Sequence, residues 1–272
     1  MLNINILDII HLIKKERQRY KKSEKRKNGY IFAYVSSYYD NPIYLYDFNK
    51  TRETNKTDDL LKDYKGYMVV DGYSGYDAFK NKGIKLQRCF AHIRRKFYDI
   101  VKVLPDDLKK VSAANEMVKR IDKLFFYEAK FKADRLSPIE IQKMRESKEF
   151  KDALDDIYIY LHSIKAEEGT PLYDAVKYFI NIEEESKTFL HDGHIPISNN
   201  ICERAIKPFA IMRRNVLFAK SENGASISGR LFTIIQTAKA NSLVVDKYLE
   251  YVIDNISKVP IDDLLPWSEK LP

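Results

Sequence analysis

Two carboxylates stand where a fold can present chemistry. Asp71 ends the apolar run Tyr67-Met68-Val69-Val70 and is followed by Gly72-Tyr73-Ser74-Gly75. A buried strand that ends in an acid holds the side chain at the rim of a rigid sheet, a common place for ligands and catalysis. The same Asp-Gly pair is also ordinary turn chemistry, in which the carboxylate only caps its own backbone. Glu203 lies in the first turns of a predicted helix reading Asn199-Asn200-Ile201-Cys202-Glu203-Arg204-Ala205-Ile206-Lys207-Pro208. With Ile201, Ala205 and Pro208 turned inward, Glu203 falls on the border of the buried face. A carboxylate there could equally favour the positive helix end, or pair with Arg204 or Lys207.

A second set is softer. Cys89 and His92 have the spacing of a metal knuckle, but the other half of a zinc site would be His191 with His194 or Cys202, which matches no compact ligand pattern. A Cys–His nucleophile is a further alternative that fits less well. Basic residues follow both acids: Arg94, Arg95 and Lys96 after Asp71, then Lys207, Arg213, Arg214, Lys220, Arg230 and Lys239 after Glu203. Phe209, Phe218 and Phe232 are interleaved with the second group. Such clusters are either solvated helix faces or a groove that tracks phosphates.

The elements that must position these groups change character along the chain. Residues 30–36 and 43–48 are β-rich and separated by Tyr39-Asp40-Asn41-Pro42, which predicts a hairpin. In 51–65, Leu60, Leu61 and Tyr64 stand at helical spacing, and strands are predicted at 67–70 and 84–90 with a short helix at 76–80 between them. From 92 to 190 the pattern is helical, punctuated by Leu104-Pro105, Ser137-Pro138 and Gly169-Thr170-Pro171. After the loop 191–196, Ser198 or Asn199 can cap a helix to about Arg213, with further helices at 225–241 and 245–256. The basic run 14–27 has no apolar periodicity and predicts a solvated loop or mobile arm.

Composition bounds the function classes. At 272 residues the chain can bury one large core or two modest ones. Lys and Arg total 47 against 39 acids, a net charge of +8 that favours a polyanionic partner over an acidic small substrate. Two cysteines, no secretory leader and no apolar run of about 18 residues predict a cytoplasmic protein without a membrane span.

Taken together, the strings are more specific than their parts. Asp71-Gly72-Tyr73-Ser74-Gly75-Tyr76 and Cys89-Phe90-Ala91-His92-Ile93-Arg94-Arg95-Lys96-Phe97 resemble the D-x-Y-x-G-Y and C-x-A-H-x-R-R-K-F signatures of insertion-sequence transposases of the IS66 type. Phe189-Leu190-His191-Asp192-Gly193 with Asn199-Asn200-Ile201-Cys202-Glu203-Arg204-Ala205 is similar to that family's F-L-x-D-G … D-N-N-x-x-E-R-A block. Arg214-Asn215-Val216-Leu217-Phe218-Ala219, Thr237-Ala238-Lys239-Ala240-Asn241 and the ending Leu264-Leu265-Pro266-Trp267 resemble further family elements in the same order.

The resemblance implies an α/β, ribonuclease-H-like mixed sheet with a large all-helical insertion and a helical C-terminal segment. In these terms the expected organisation is a basic segment at 1–28, core at 29–98, insertion at 99–190, the remaining core with the catalytic helix at 191–242, and a C-terminal segment at 243–272. It implies a catalytic triad holding two Mg²⁺ or Mn²⁺ ions, with Asp71 and Glu203 as its second and third members, for nicking and joining DNA. Implied DNA contacts are Arg94, Arg95, Lys96, Arg204, Lys207, Arg213 and Arg214; implied partners are element ends, target DNA, further copies of the chain and accessory proteins.

The chain departs from the pattern at two places. The first triad acid lies in a D-E-T string in the family, and no such string occurs here; Asp8, 21 positions before Gly29, is the candidate, but Ile9-Ile10 follow it. Ser198 replaces an Asp before Asn199-Asn200. The expectation is therefore a transposase catalytic part altered or incomplete at its N-terminus, or an inactive remnant that only binds DNA or a full-length transposase.

Overall fold

The computed structural model describes residues 9–12, 16–22, 25–36, 41–51, 61, 63–215 and 221–271, with the backbone alone for those within 9–28 and 213–215. The described protein is mixed α/β. Its strands are β1 (Ile9–Leu12), β2 (Glu16–Lys22), β3 (Lys25–Ser36), β4 (Ile43–Asn49), β5 (Tyr67–Val70) and β6 (Lys85–Arg88). A 3-10 stretch, Ser74–Lys82, joins the last two strands. Helices follow as α1 (Phe90–Val103), α2 (Asp106–Val111), α3 (Ala113–Ala133), α4 (Pro138–Arg145) and α5 (Lys148–Ser163). After these come α6 (Pro171–Asn181), α7 (Glu183–Ser186), α8 (Asn200–Asn215), α9 (Glu222–Ala240) and α10 (Val245–Asn255). The helical block expected from 92 begins at Phe90, and none of the described helices is long and apolar enough to cross a membrane. The chain divides into one compact unit of 1–66, 75–84 and 200–272 and another of 67–74 and 85–199.

In the first unit β3 is central. It pairs antiparallel with β4 along 30–36, with β2 along 25–31 and with β1 along 34–36. The predicted hairpin is therefore present as β3–β4. The basic run expected as a loop or arm is instead largely strands β2 and β3, paired from Glu16 opposite Ile31 to Lys22 opposite Lys25. Ladder bonds are made by the main chain and need no apolar alternation, so periodicity carried no signal there. Most of 51–65 lies outside the described residues.

Helix α8 packs Cys202, Ala205, Ile206 and Phe209 onto Ile31, Ala33, Val35 and Tyr46. Those four positions follow helical spacing. The inward face thus differs from the expected one: Ile201 and Pro208 sit at its margins. Pro208 has no N–H and disturbs the helical ladder one turn back. On the same helix the Tyr46 hydroxyl donates to the Ala205 carbonyl (2.5 Å), and burial raises the Tyr46 phenol so that it keeps its proton.

Helix α9 closes the outer edge of β4. Thr237 Oγ1 accepts the Tyr44 N–H and donates to the Tyr44 carbonyl, both at 3.1 Å. Thr233 Oγ1 accepts the Tyr46 N–H (2.9 Å), and Asn241 Nδ2 donates to the Pro42 carbonyl (3.1 Å). A side chain at Gly229 would press on the Tyr46 carbonyl. Four residues advance a helix by about 6 Å and two advance a strand by about 6.7 Å, so hydroxyls at every fourth position match amides at every second. Thr237 and Asn241 belong to the T-A-K-x-N string, whose role in this unit is edge closure against unwanted strand pairing.

In the second unit β5 and β6 run parallel, with Val70 opposite Arg88. The buried side chain of Gln87 donates to the Ser186 carbonyl (3.0 Å) and accepts the Phe189 N–H (2.6 Å), while Thr188 Oγ1 donates to the Leu86 carbonyl (2.7 Å). Residues 186–189 thereby bond along β6. Phe90, Phe150, Phe179 and Phe189 form edge contacts beside it. Arg145, only 2% exposed, pairs with Glu128 through two hydrogen bonds (2.8 and 2.9 Å) and donates to the carbonyls of Phe189 and Asp192 (2.8 and 3.1 Å).

Two stability outcomes follow from these contacts. Thr237→Val removes the partner of both Tyr44 main-chain groups and should cost about 1–3 kcal/mol in urea unfolding; a loss below about 0.3 kcal/mol would exclude edge closure by the hydroxyl. Arg145→Met strands Glu128 and two carbonyls and should cost about 3–5 kcal/mol. Adding Glu128→Leu should restore part of that loss, and strict additivity of the two substitutions would contradict the pairing.

Candidate functional site

Asp71 directly follows β5 and is half-buried. Its Oδ1 accepts the Tyr73 N–H (2.9 Å), an Asx turn in which the carboxylate caps the chain two residues on. Its carbonyl accepts a hydrogen bond from Arg88 Nη1 (3.0 Å), and Arg88 is itself 2% exposed. The guanidinium engages the main chain of Asp71. Both readings of Asp71 thus coexist: the side chain caps a turn and stands at a strand end.

The turn has a further neighbour. The Gly72 amide is directed at the phenol oxygen of Tyr178 on α6, and a side chain at Gly72 would overlap that ring and hydroxyl. Burial first, then the Asp71 charge, pushes the Tyr178 phenol up to about 12. Lys96 Nζ lies 5.2 Å from the centre of the same ring. Sequence reading missed Tyr178, because within Lys177-Tyr178-Phe179-Ile180 it carries no signal beyond helix packing.

Main-chain bonds join this turn to the loop before α8. The Cys89 N–H donates to the Val70 carbonyl (2.8 Å), and the Phe90 N–H donates to the Ile197 carbonyl (2.9 Å). The Asn199 N–H donates to the Cys89 thiol (3.4 Å), and Asn199 is buried. Asn199 runs directly into α8, whose first turn carries Glu203. Glu203 is half-buried beside the packed Cys202 and Ala205.

The remaining candidates are distributed as follows. Arg94 pairs with Asp122 of α3 through Nε–Oδ1 (2.5 Å) and Nη2–Oδ2 (3.0 Å), and lies over the Tyr98 ring. Arg95 and Lys96 on α1, and Arg204 and Lys207 on α8, are exposed. Arg213 and Arg214 fall in the last turn of α8, and their side chains, like all of Asp8, lie outside the described residues. Cys89 and Cys202 are buried and not joined in a disulfide. His194 Nδ1 bonds Asp192 Oδ1 (2.7 Å), and the exposed His191 lies beside the Tyr67 ring. Among the described residues no three His, Cys, Asp or Glu side chains are gathered to hold a metal ion.

Comparison with known proteins adds an independent line. A family model described as "Transposase IS66 family" matches residues 15–227. Relatives from Sinorhizobium fredii, described as uncharacterized proteins y4qI and y4hP, are each 30% identical over 243 and 246 residues, covering 84% of this chain and 44% of their own. A third, uncharacterized protein y4jD from the same organism, is 28% identical over 243 residues, 84% of this chain and 46% of its own. The chain spans less than half the length of these relatives.

Proposed function

The chain belongs to the IS66 family of transposases, and on that premise we propose that it is the catalytic part of a DNA transposase acting through metal-dependent cleavage and joining of phosphodiesters. The observation that carries the proposal is the set of bonds around Cys89. Its N–H holds the strand that ends in Asp71, and its thiol takes the N–H of the residue leading into the helix of Glu203. These bonds tie the strand end that carries Asp71 to Asn199, the residue that precedes the helix of Glu203 in the chain. A ribonuclease-H-like core is supported by element order: antiparallel strands β1 to β4, then the parallel pair β5 and β6, a helical block, and a helix bearing an acid.

The residues suit a hard divalent cation. Asp71 and Glu203 offer carboxylate oxygens, each on a rigid element and each half-buried. Asp8 is proposed as the third ligand from its position in the sequence. When bound, Mg²⁺ or Mn²⁺ in a pair would supply Lewis-acid activation of the attacking and leaving oxygens of an in-line displacement. The chain's own part is orientation. The Tyr73 amide fixes Oδ1 of Asp71, and Arg88 fixes its carbonyl without engaging the carboxylate. The packed face of α8 limits the freedom of Glu203.

Arg95, Lys96, Arg204 and Lys207 are the proposed phosphate contacts, with Arg213 and Arg214 continuing along α8. Such contacts fix register and not sequence. Arg94 would have to share its guanidinium with Asp122. The alternative, a remnant that binds DNA or a full-length transposase without cutting, is favoured by one observation: the first acid stands before Ile9-Ile10 and not in a D-E-T string.

Incubation of the protein with DNA carrying the ends of its own element, with Mg²⁺ or Mn²⁺, separates the two. Cleavage that falls about a thousandfold in Asp71→Asn and in Glu203→Gln is expected, since losing a ligand forfeits several kcal/mol of transition-state stabilisation. Binding with no metal-dependent cleavage would leave the remnant.

A further inference from the structure

The turn that presents Asp71 is held from three directions. Arg88 takes the Asp71 carbonyl and the Tyr73 amide takes Oδ1. The third hold comes from Tyr178, more than a hundred positions later in the chain, on α6. We propose that Tyr178 is a positioning residue for the Asp71–Gly72 turn. Its phenol oxygen receives the Gly72 N–H, its ring occupies the space a side chain at residue 72 would need, and the two contacts fix the direction of the Asp71 carboxylate. The role in metal binding rests on the reading of Asp71 as a ligand given above; the hold on the turn does not.

The geometry makes the contact specific. Only glycine lets the ring approach the main chain at residue 72, because any Cβ there would overlap the Tyr178 hydroxyl. The ring is fixed in turn. Phe179, next in α6, packs edge-on against Phe90 and tilts against Tyr158. Lys96 Nζ faces the Tyr178 ring from α1, a cation–π contact that restrains its tilt. The phenol keeps its proton at neutral pH, so its oxygen remains a neutral acceptor beside a carboxylate and adds no repelling charge. The helical block thereby contributes a contact that sets where Asp71 points.

Tyr178→Phe removes the oxygen and keeps the ring. Amide hydrogen exchange at Gly72, followed by NMR on the whole chain, should accelerate about tenfold, the equivalent of one modest hydrogen bond. Mn²⁺ affinity, read by EPR without DNA, should fall about 10- to 100-fold, as for other groups that orient a metal ligand. Tyr158→Phe, which removes a phenol bonded to Ser186 instead, is the control and should leave both readings unchanged. Unaltered Gly72 exchange in Tyr178→Phe would overturn the proposal. So would unaltered Mn²⁺ affinity in a background where Asp71→Asn abolishes binding. If Asp71→Asn leaves Mn²⁺ binding intact, the ligand assignment fails, while accelerated Gly72 exchange still upholds the hold on the turn.

Discussion

The arrangement depends on a constraint at the end of β5. A carboxylate that is to serve a cation must be held in one direction by groups that do not consume its oxygens. Asp71 meets this through its main chain: Arg88 binds its carbonyl, the Gly72 amide is directed at Tyr178, and Oδ1 accepts a single backbone N–H. A buried arginine engaging the carboxylate itself would have offset its charge and occupied its lone pairs. Placed on the carbonyl, the same guanidinium steadies the turn through its main chain.

Main-chain satisfaction by distant side chains recurs in both units. In one, α9 lays Thr233, Thr237 and Asn241 along β4; in the other, Gln87 and Thr188 join β6 to the segment that follows α7. Buried backbone groups must find partners, and here helices supply them where another strand would otherwise pair. Arg145 does the same for the loop at 189–192, so the helical block fixes the chain that leads toward α8.

Much of this was legible in the residues. The hairpin at 30–48, the apolar strand before Asp71 and the helix of Glu203 followed from alternation, an apolar run and a polar start. Three features escaped for physical reasons. The β2–β3 ribbon is so charged that no periodicity marks it, and its pairing is a main-chain property. Gln87, Arg88 and Arg145 carry no sign of burial in their residue type, since the partners that let Gln87 and Arg145 be buried lie tens of positions away. The packed face of α8 runs through Cys202 and Phe209 instead of Ile201 and Pro208, because one position on a helix turns a side chain by about 100°. Asp71 and Glu203 are each ambiguous alone, and it is their order among the other family strings that makes them candidates.

The proposed function requires Asp71 and Glu203 to share divalent metal. Crystals of the chain grown with Mn²⁺ and measured at the manganese absorption edge test it most directly. The account predicts an anomalous peak with oxygens of both carboxylates at about 2.1 Å. A peak ligated by neither acid, or the two carboxylates on separate faces with packed apolar side chains between them, would contradict it.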